Sequence, residues 1–89
     1  MTLFTGEPAA VRSALKKAAE TAEAGGKKAG IIDFGGNAEE AARLFFKELR
    51  RLDSQHVDVI FAAGIEETGI GVAVMNRMRY AANGNIINV

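Results

Sequence analysis

Three glycines, Gly64, Gly69 and Gly71, punctuate the segment Gly64-Ile-Glu-Glu-Thr-Gly-Ile-Gly71, which lies between a strand-like run and a helix-like one. Backbone N–H groups at a helix start favour anions, so such a loop could take the phosphate of ATP or AMP. The spacing is neither G-x-G-x-x-G nor a P-loop, and no lysine follows. Glu66 and Glu67 would also repel a phosphate, so tight-turn glycines are the simpler reading. Asn76, Arg77 and Tyr80 follow on the helix-like run. Asn76 and Tyr80 project opposite Met75 and Met78, with Arg77 near the boundary. That face is either solvated or a docking surface for another domain, where Tyr and Arg are favoured contacts. Arg77 could pair with Asp53 or with a loop glutamate.

Arg50 and Asp53 are three apart and fit a local structural ion pair, worth about 0.2–0.5 kcal/mol if exposed. His56 reads as a surface histidine rather than a general base. Asp33 ends a strand, where α/β enzymes place acidic groups, but a cap for the next helix is the simpler account. No nucleophile has an evident companion, so no catalytic residue is assigned. The chain has no cysteine and one histidine, which excludes thiolate chemistry, zinc–thiolate sites and a histidine metal cluster. No metal or resident cofactor is expected.

Eighty-nine residues make one small domain, spanning 1–89, with a small core. Lys plus Arg equals Asp plus Glu at 11 each, which lacks the basic footprint of an autonomous nucleic-acid binder. No apolar run approaches the ~20 residues of a membrane span, and the N-terminus lacks a signal-peptide layout. A cytoplasmic location is the expectation.

The elements that position these residues alternate. Thr2-Leu3-Phe4 reads as a short strand, and Gly6-Glu7-Pro8 as a helix start, because proline suits the first turn. Val11, Leu15, Ala18 and Ala22 give that helix a narrow apolar stripe, and Gly25-Gly26 ends it. Ala29 to Phe34 is a second strand whose apolar start suits a sheet covered on both faces. Asn37 with Glu40 makes a capping-box-like start for a second helix. Its buried stripe is Ala38, Ala42, Phe45, Leu49 and Leu52. Val57 to Ala63 is a third strand, and Gly71 to Ala82 a third helix that buries Val74, Met75, Met78, Ala81 and Ala82. Asn83-Gly84 stops it. Asn85 to Val89 is either a closing strand or a tail. Alternating strands and helices argue for an α/β, small three-layer Rossmann-like domain, with three helices and a mainly parallel sheet of three or four strands.

Several of these segments carry a resemblance. Leu44-Phe-Phe-Lys-Glu-Leu-Arg-Arg-Leu-Asp53, the strand Val57-Asp-Val-Ile-Phe-Ala62 and Gly69-Ile-Gly-Val-Ala-Val-Met-Asn-Arg-Met78 together resemble the C-terminal domain of two-domain threonylcarbamoyl-AMP synthases. The match is dense from Ala38 to Ala82 and looser before it. It departs at Gly35-Gly36-Asn37, where the family has a longer connection. The resemblance implies a small Rossmann-like domain in the context of threonylcarbamoyladenosine modification of tRNA. It implies a YrdC-like catalytic domain as partner, and nothing in these residues resembles that domain. The expected role is non-catalytic and accessory. An independent nucleotide- or anion-binding module and a self-associating structural module are the alternatives, the latter a homodimer through the third helix or the closing strand.

Overall fold

Side-chain caps start the first two helices, a glycine turn starts the third, and the strands fill the intervals between helices. The computed structural model describes all 89 residues. The order is β1 (Thr2–Thr5), α1 (Pro8–Ala24), β2 (Ala29–Ile32), α2 (Ala38–Ser54), β3 (Val59–Ala63), α3 (Ile70–Ala82) and β4 (Ile86–Asn88). Pro8 occupies the first turn of α1, and the Glu7 carboxylate accepts hydrogen bonds from the N–H groups of Ala9 and Ala10 at 3.1 and 3.0 Å. Those bonds hold the Glu7 pKa below its ordinary value, with the nearby Arg12 charge adding to the effect. Asn37 caps α2 by accepting from the Glu40 N–H at 3.0 Å. Asn83 ends α3 in the left-handed conformation that Asn tolerates, and its N–H closes on the carbonyls of Arg79 and Tyr80.

The four strands form one parallel sheet in the order β2-β3-β1-β4. The expected sheet was mainly parallel; every pairing here is parallel. Strand bounds are tighter than the apolar runs suggested. β2 stops at Ile32 because Asp33 turns back to accept the Gly35 N–H at 2.8 Å. β3 starts at Val59 because Asp58 is engaged with the Lys28 N–H at 2.7 Å. Helices cover both faces of the sheet, as the apolar start of β2 suggested; β2 is also its edge strand, and Ile31 stands 43% exposed. The terminal segment is a closing strand, β4, paired to β1.

Parallel neighbours require crossover helices, and the right-handed rule decides their faces. α1 runs from β1 toward β2, whereas α2 and α3 run the opposite way across the sheet. α1 therefore lies alone on one face, and α2 packs with α3 on the other. Successive residues of β1 divide between the two layers. Leu3 joins the larger core with Ile32, Phe45, Leu52, Val74, Met75 and Met78. Phe4 joins Val11, Leu15 and Ala63 under α1, with the Phe61 ring 6.1 Å away. The stripes match the helical spacing closely; in α1 the deepest third contact is Ala19 rather than Ala18 or Ala22, and in α2 Ala41 is fully enclosed. Gly30 lets Leu52 pack directly on β2; a Cβ there would lie 2.8 Å from the end of the Leu52 side chain, which would have to shift. No helix is long and apolar enough to cross a membrane.

Phe45 is 2% exposed and sits at the centre of the larger core. Phe45→Ala is expected to cost about 3–5 kcal/mol, a large share of the stability of a domain this size. Thermal melting by circular dichroism checks this, and an unchanged midpoint would remove Phe45 from the core. A second prediction follows from the cap. Because the folded Glu7 pKa is lowered, its stabilisation is present above the ordinary value of 4.5 and is lost as pH falls through the lower folded value. Glu7→Gln is therefore expected to lower the melting temperature at neutral pH and to flatten its fall under acid. Parallel melts of both proteins from neutral to acid pH test the sign.

Candidate functional site

β1 and β3 are adjacent, and the chain leaves them toward opposite faces of the sheet. The gap between the two departing connections is the topological switch point, where open α/β sheets place ligands. Here it forms a crevice of about 620 Å³ at the carboxyl ends of the strands. Small-molecule pockets span roughly 300–1,000 Å³. Val11, Ala63, Ile65 and Met75 supply apolar lining, and the backbone at Gly6, Gly35, Gly36 and Gly64 comes to the surface around it. The buried Ile65 N–H points to the Met75 sulfur at 3.3 Å, which fastens the β3–α3 loop to its helix.

Two cations and three carboxylates line the same crevice: Arg12 and Arg79, with Asp33, Glu66 and Glu67. Arg79 reaches from α3 to an ion pair with Glu67 and also donates to the Asn76 amide oxygen at 3.3 Å. Asp33 spends one oxygen on the Gly35 N–H. Arg12 makes no ion pair; it also lines a neighbouring groove between α1 and β2, beside Ile31 and Asp33. In dinucleotide-binding folds the first βα turn offers its helix N–H groups to a pyrophosphate. Here the Glu7 carboxylate already takes those of Ala9 and Ala10. At α3 no side chain caps the helix, but the N–H groups of Gly71 and Val72 go to the carbonyls of Thr68 and Gly69.

The structure separates the glycines that the loop sequence grouped. Gly64 lines the crevice. Gly69 lies outside its lining, with φ at +54° and open space where a Cβ would stand, so its role is the turn into α3. Gly71 is buried, and a Cβ there would lie 2.0 Å from the Glu66 carbonyl oxygen. That contact reserves position 71 for glycine by steric exclusion. Asn76, Arg77 and Tyr80 lie on the exposed side of α3, with Tyr80 at 90% exposure. Arg77 pairs with neither Asp53 nor a loop glutamate; the loop partner goes to Arg79, two residues further along α3 and in the crevice lining. Arg50 and Asp53 do not form the expected pair either. The same three-residue spacing is used by Glu48 and Arg51 at 2.6 Å. Arg12 and Arg79 are the crevice residues that sequence reasoning passed over. For Arg79 the only signal was its spacing of three from Asn76; for Arg12 there was none, since strand order alone brings α1 to the crevice.

No three His, Cys, Asp or Glu side chains converge as metal ligands do. His56 sits exposed past the end of α2 with φ at +57°, away from the crevice lining. The arrangement offers a polar, mixed-charge cleft and an exposed helix face, but no nucleophile with a base beside it.

Comparison with known proteins gives this geometry a family. The model of the threonylcarbamoyl-AMP synthase C-terminal domain matches residues 2–83. A threonylcarbamoyl-AMP synthase of Pyrococcus abyssi is 47% identical over 75 aligned residues, covering 72% of this chain and 22% of that protein. A Bacillus subtilis synthase is 41% identical over 49 residues, covering 55% of this chain and 14% of its own. The chain thus spans about a fifth or less of the curated relatives it matches. Among solved structures, a doubly substituted P. abyssi Sua5 superposes with a TM-score of 0.93 at 38% identity, over 99% of this chain and 29% of that one. The C-terminal Sua5 domain of Pyrococcus horikoshii superposes with a TM-score of 0.79 at 32% identity, over 99% of this chain and 94% of that one. These 89 residues correspond to the C-terminal Sua5 domain, a unit separate from the family's YrdC-like catalytic domain. The chain belongs to the family of the threonylcarbamoyl-AMP synthase C-terminal domain.

Proposed function

We propose that this domain is the accessory module of a threonylcarbamoyl-AMP synthase, acting in the cytoplasm in the threonylcarbamoyladenosine modification of tRNA. It docks a YrdC-like catalytic domain and supports that domain's turnover without contributing a reacting group. The family match across residues 2–83 carries this reading. Two features support it. The crevice lacks an activated nucleophile and a converging metal-ligand set. The outer face of α3 presents Asn76, Arg77 and a 90% exposed Tyr80, residue types favoured where one domain meets another. Tyr80 offers a large contact area at low conformational cost.

The pure chain, supplied with threonine, bicarbonate and ATP, is expected to yield no threonylcarbamoyl-AMP above a protein-free control by mass spectrometry. Grafted in place of the C-terminal domain of the P. abyssi synthase, it is expected to raise kcat/KM above that of the catalytic segment assayed without it. Tyr80→Ala in the graft should remove roughly 1–2 kcal/mol of that support, about a five- to thirtyfold loss. Adenylate formed by the chain alone, or a graft no better than the bare catalytic segment, would overturn the accessory reading.

A further inference from the structure

The two edges of the sheet are built differently. β2 is flanked by charge: Lys27 and Lys28 precede it and Asp33 follows. Lys28 is also engaged, its N–H with the Asp58 carboxylate at 2.7 Å and its ammonium with the Gln55 carbonyl at 2.8 Å. Charges placed this way blunt a sheet edge. β4 has no such device. From Tyr80 to Val89 there is neither a charged side chain nor a proline. Ile86, Ile87 and Val89 stand 41, 46 and 43% exposed, and β1 is the element packed against the strand.

The edge is nevertheless held in place. Leu3 N–H donates to the Asn85 carbonyl at 2.9 Å, and Val89 N–H donates to the Thr5 carbonyl at 2.8 Å. The Thr5 hydroxyl adds a bond to the Asn88 amide oxygen at 3.3 Å. In a parallel ladder with this register, the N–H and C=O of Ile87 face β1, and those of Ile86 and Asn88 face outward. The Ile86 N–H folds back to the Gly84 carbonyl at 3.0 Å. The outward Ile86 C=O and both backbone groups of Asn88 are then left for a partner.

We propose that this chain self-associates through β4, a second copy pairing antiparallel across a two-fold axis at Ile87 and continuing the sheet from four strands to eight. The proposal stands apart from the accessory reading. Antiparallel pairing about Ile87 sets Asn88 N–H against the C=O of the partner's Ile86, and the symmetry repeats the bond. Ile87 meets the partner's Ile87 in a non-hydrogen-bonded pair, where side chains approach most closely. A second copy fits because the strand is self-complementary: hydrogen-bonding groups match under the two-fold, and no like charges meet. The contact is isologous and uses the β4 edge of both copies, so the pairing closes as a dimer rather than growing into a fibre.

Sedimentation velocity over a concentration series up to millimolar tests this, with Ile87→Lys, which sets like charges face to face, and Asn88→Pro, which deletes the outward N–H. The unaltered chain is expected to show a reversible monomer–dimer equilibrium. Each variant should weaken it roughly tenfold or more, with the dilute-state melting temperature kept. Ile31→Lys at the opposite edge should leave the dimer as it is. In case a variant misfolds, amide exchange of the unaltered chain gives an independent reading: protection at Asn88 should rise with concentration. A monomer at every concentration, a dimer indifferent to both variants, or a dimer without new protection at Asn88 would overturn the proposal.

Discussion

The parallel pairing of β1 with β3 is the constraint on which the rest of this domain depends. It places the first strand between the third and fourth, so the chain must leave β1 in one direction and β3 in the other. With right-handed crossovers, that reversal puts α1 on one face and α2 with α3 on the other. Alternate residues of β1 then serve two cores: Leu3 goes to the larger one and Phe4 to the smaller. The same reversal opens the crevice between the strand ends, so the core and the cleft follow from one pairing.

Electrostatics then decides what the crevice is suited to. The β1–α1 turn, the customary phosphate position in such folds, is filled by the Glu7 carboxylate of the chain itself. Two backbone N–H donors keep that carboxylate ionised, and it in turn stabilises the helix start that an external anion would otherwise occupy. Arg79 is similarly committed to Glu67. Charged groups in the cleft thus mostly brace the loops around it.

The two sheet edges continue the same contrast between committed and free groups. Lys28 ties the start of β2 to Asp58 and Gln55 in the α2–β3 turn. The β4 edge is anchored on one side only, and its outward groups are apolar or backbone. In a domain with so small a core, even a few further buried contacts are a substantial fraction of the total stability.

The local elements were legible in the sequence because local physics sets them. Pro8 with Glu7, Asn37 with Glu40, and Asn83-Gly84 mark helix ends wherever those helices pack. The spacing of Phe45, Leu49 and Leu52, or of Val74, Met75 and Met78, names a buried face without saying what covers it. Motif resemblance supplied the family for the same reason, since it rests on residues contiguous in the chain. Choices between equivalent local options were not legible. Glu48–Arg51 and Arg50–Asp53 share one spacing, and only side-chain geometry selects the first. Arg79 rather than Arg77 meets Glu67 because of how α3 is rotated against its loop. Likewise, the apolar start of β2 suited a sheet covered on both faces, but only strand order shows that β2 is its edge. Parallel pairing joins residues tens of positions apart through crossovers that leave no local trace. The sequence by itself therefore determined the elements, their buried faces and their family. Strand order, the crevice with Arg12 and Arg79 in it, and the bare β4 edge were decided only when the sheet assembled.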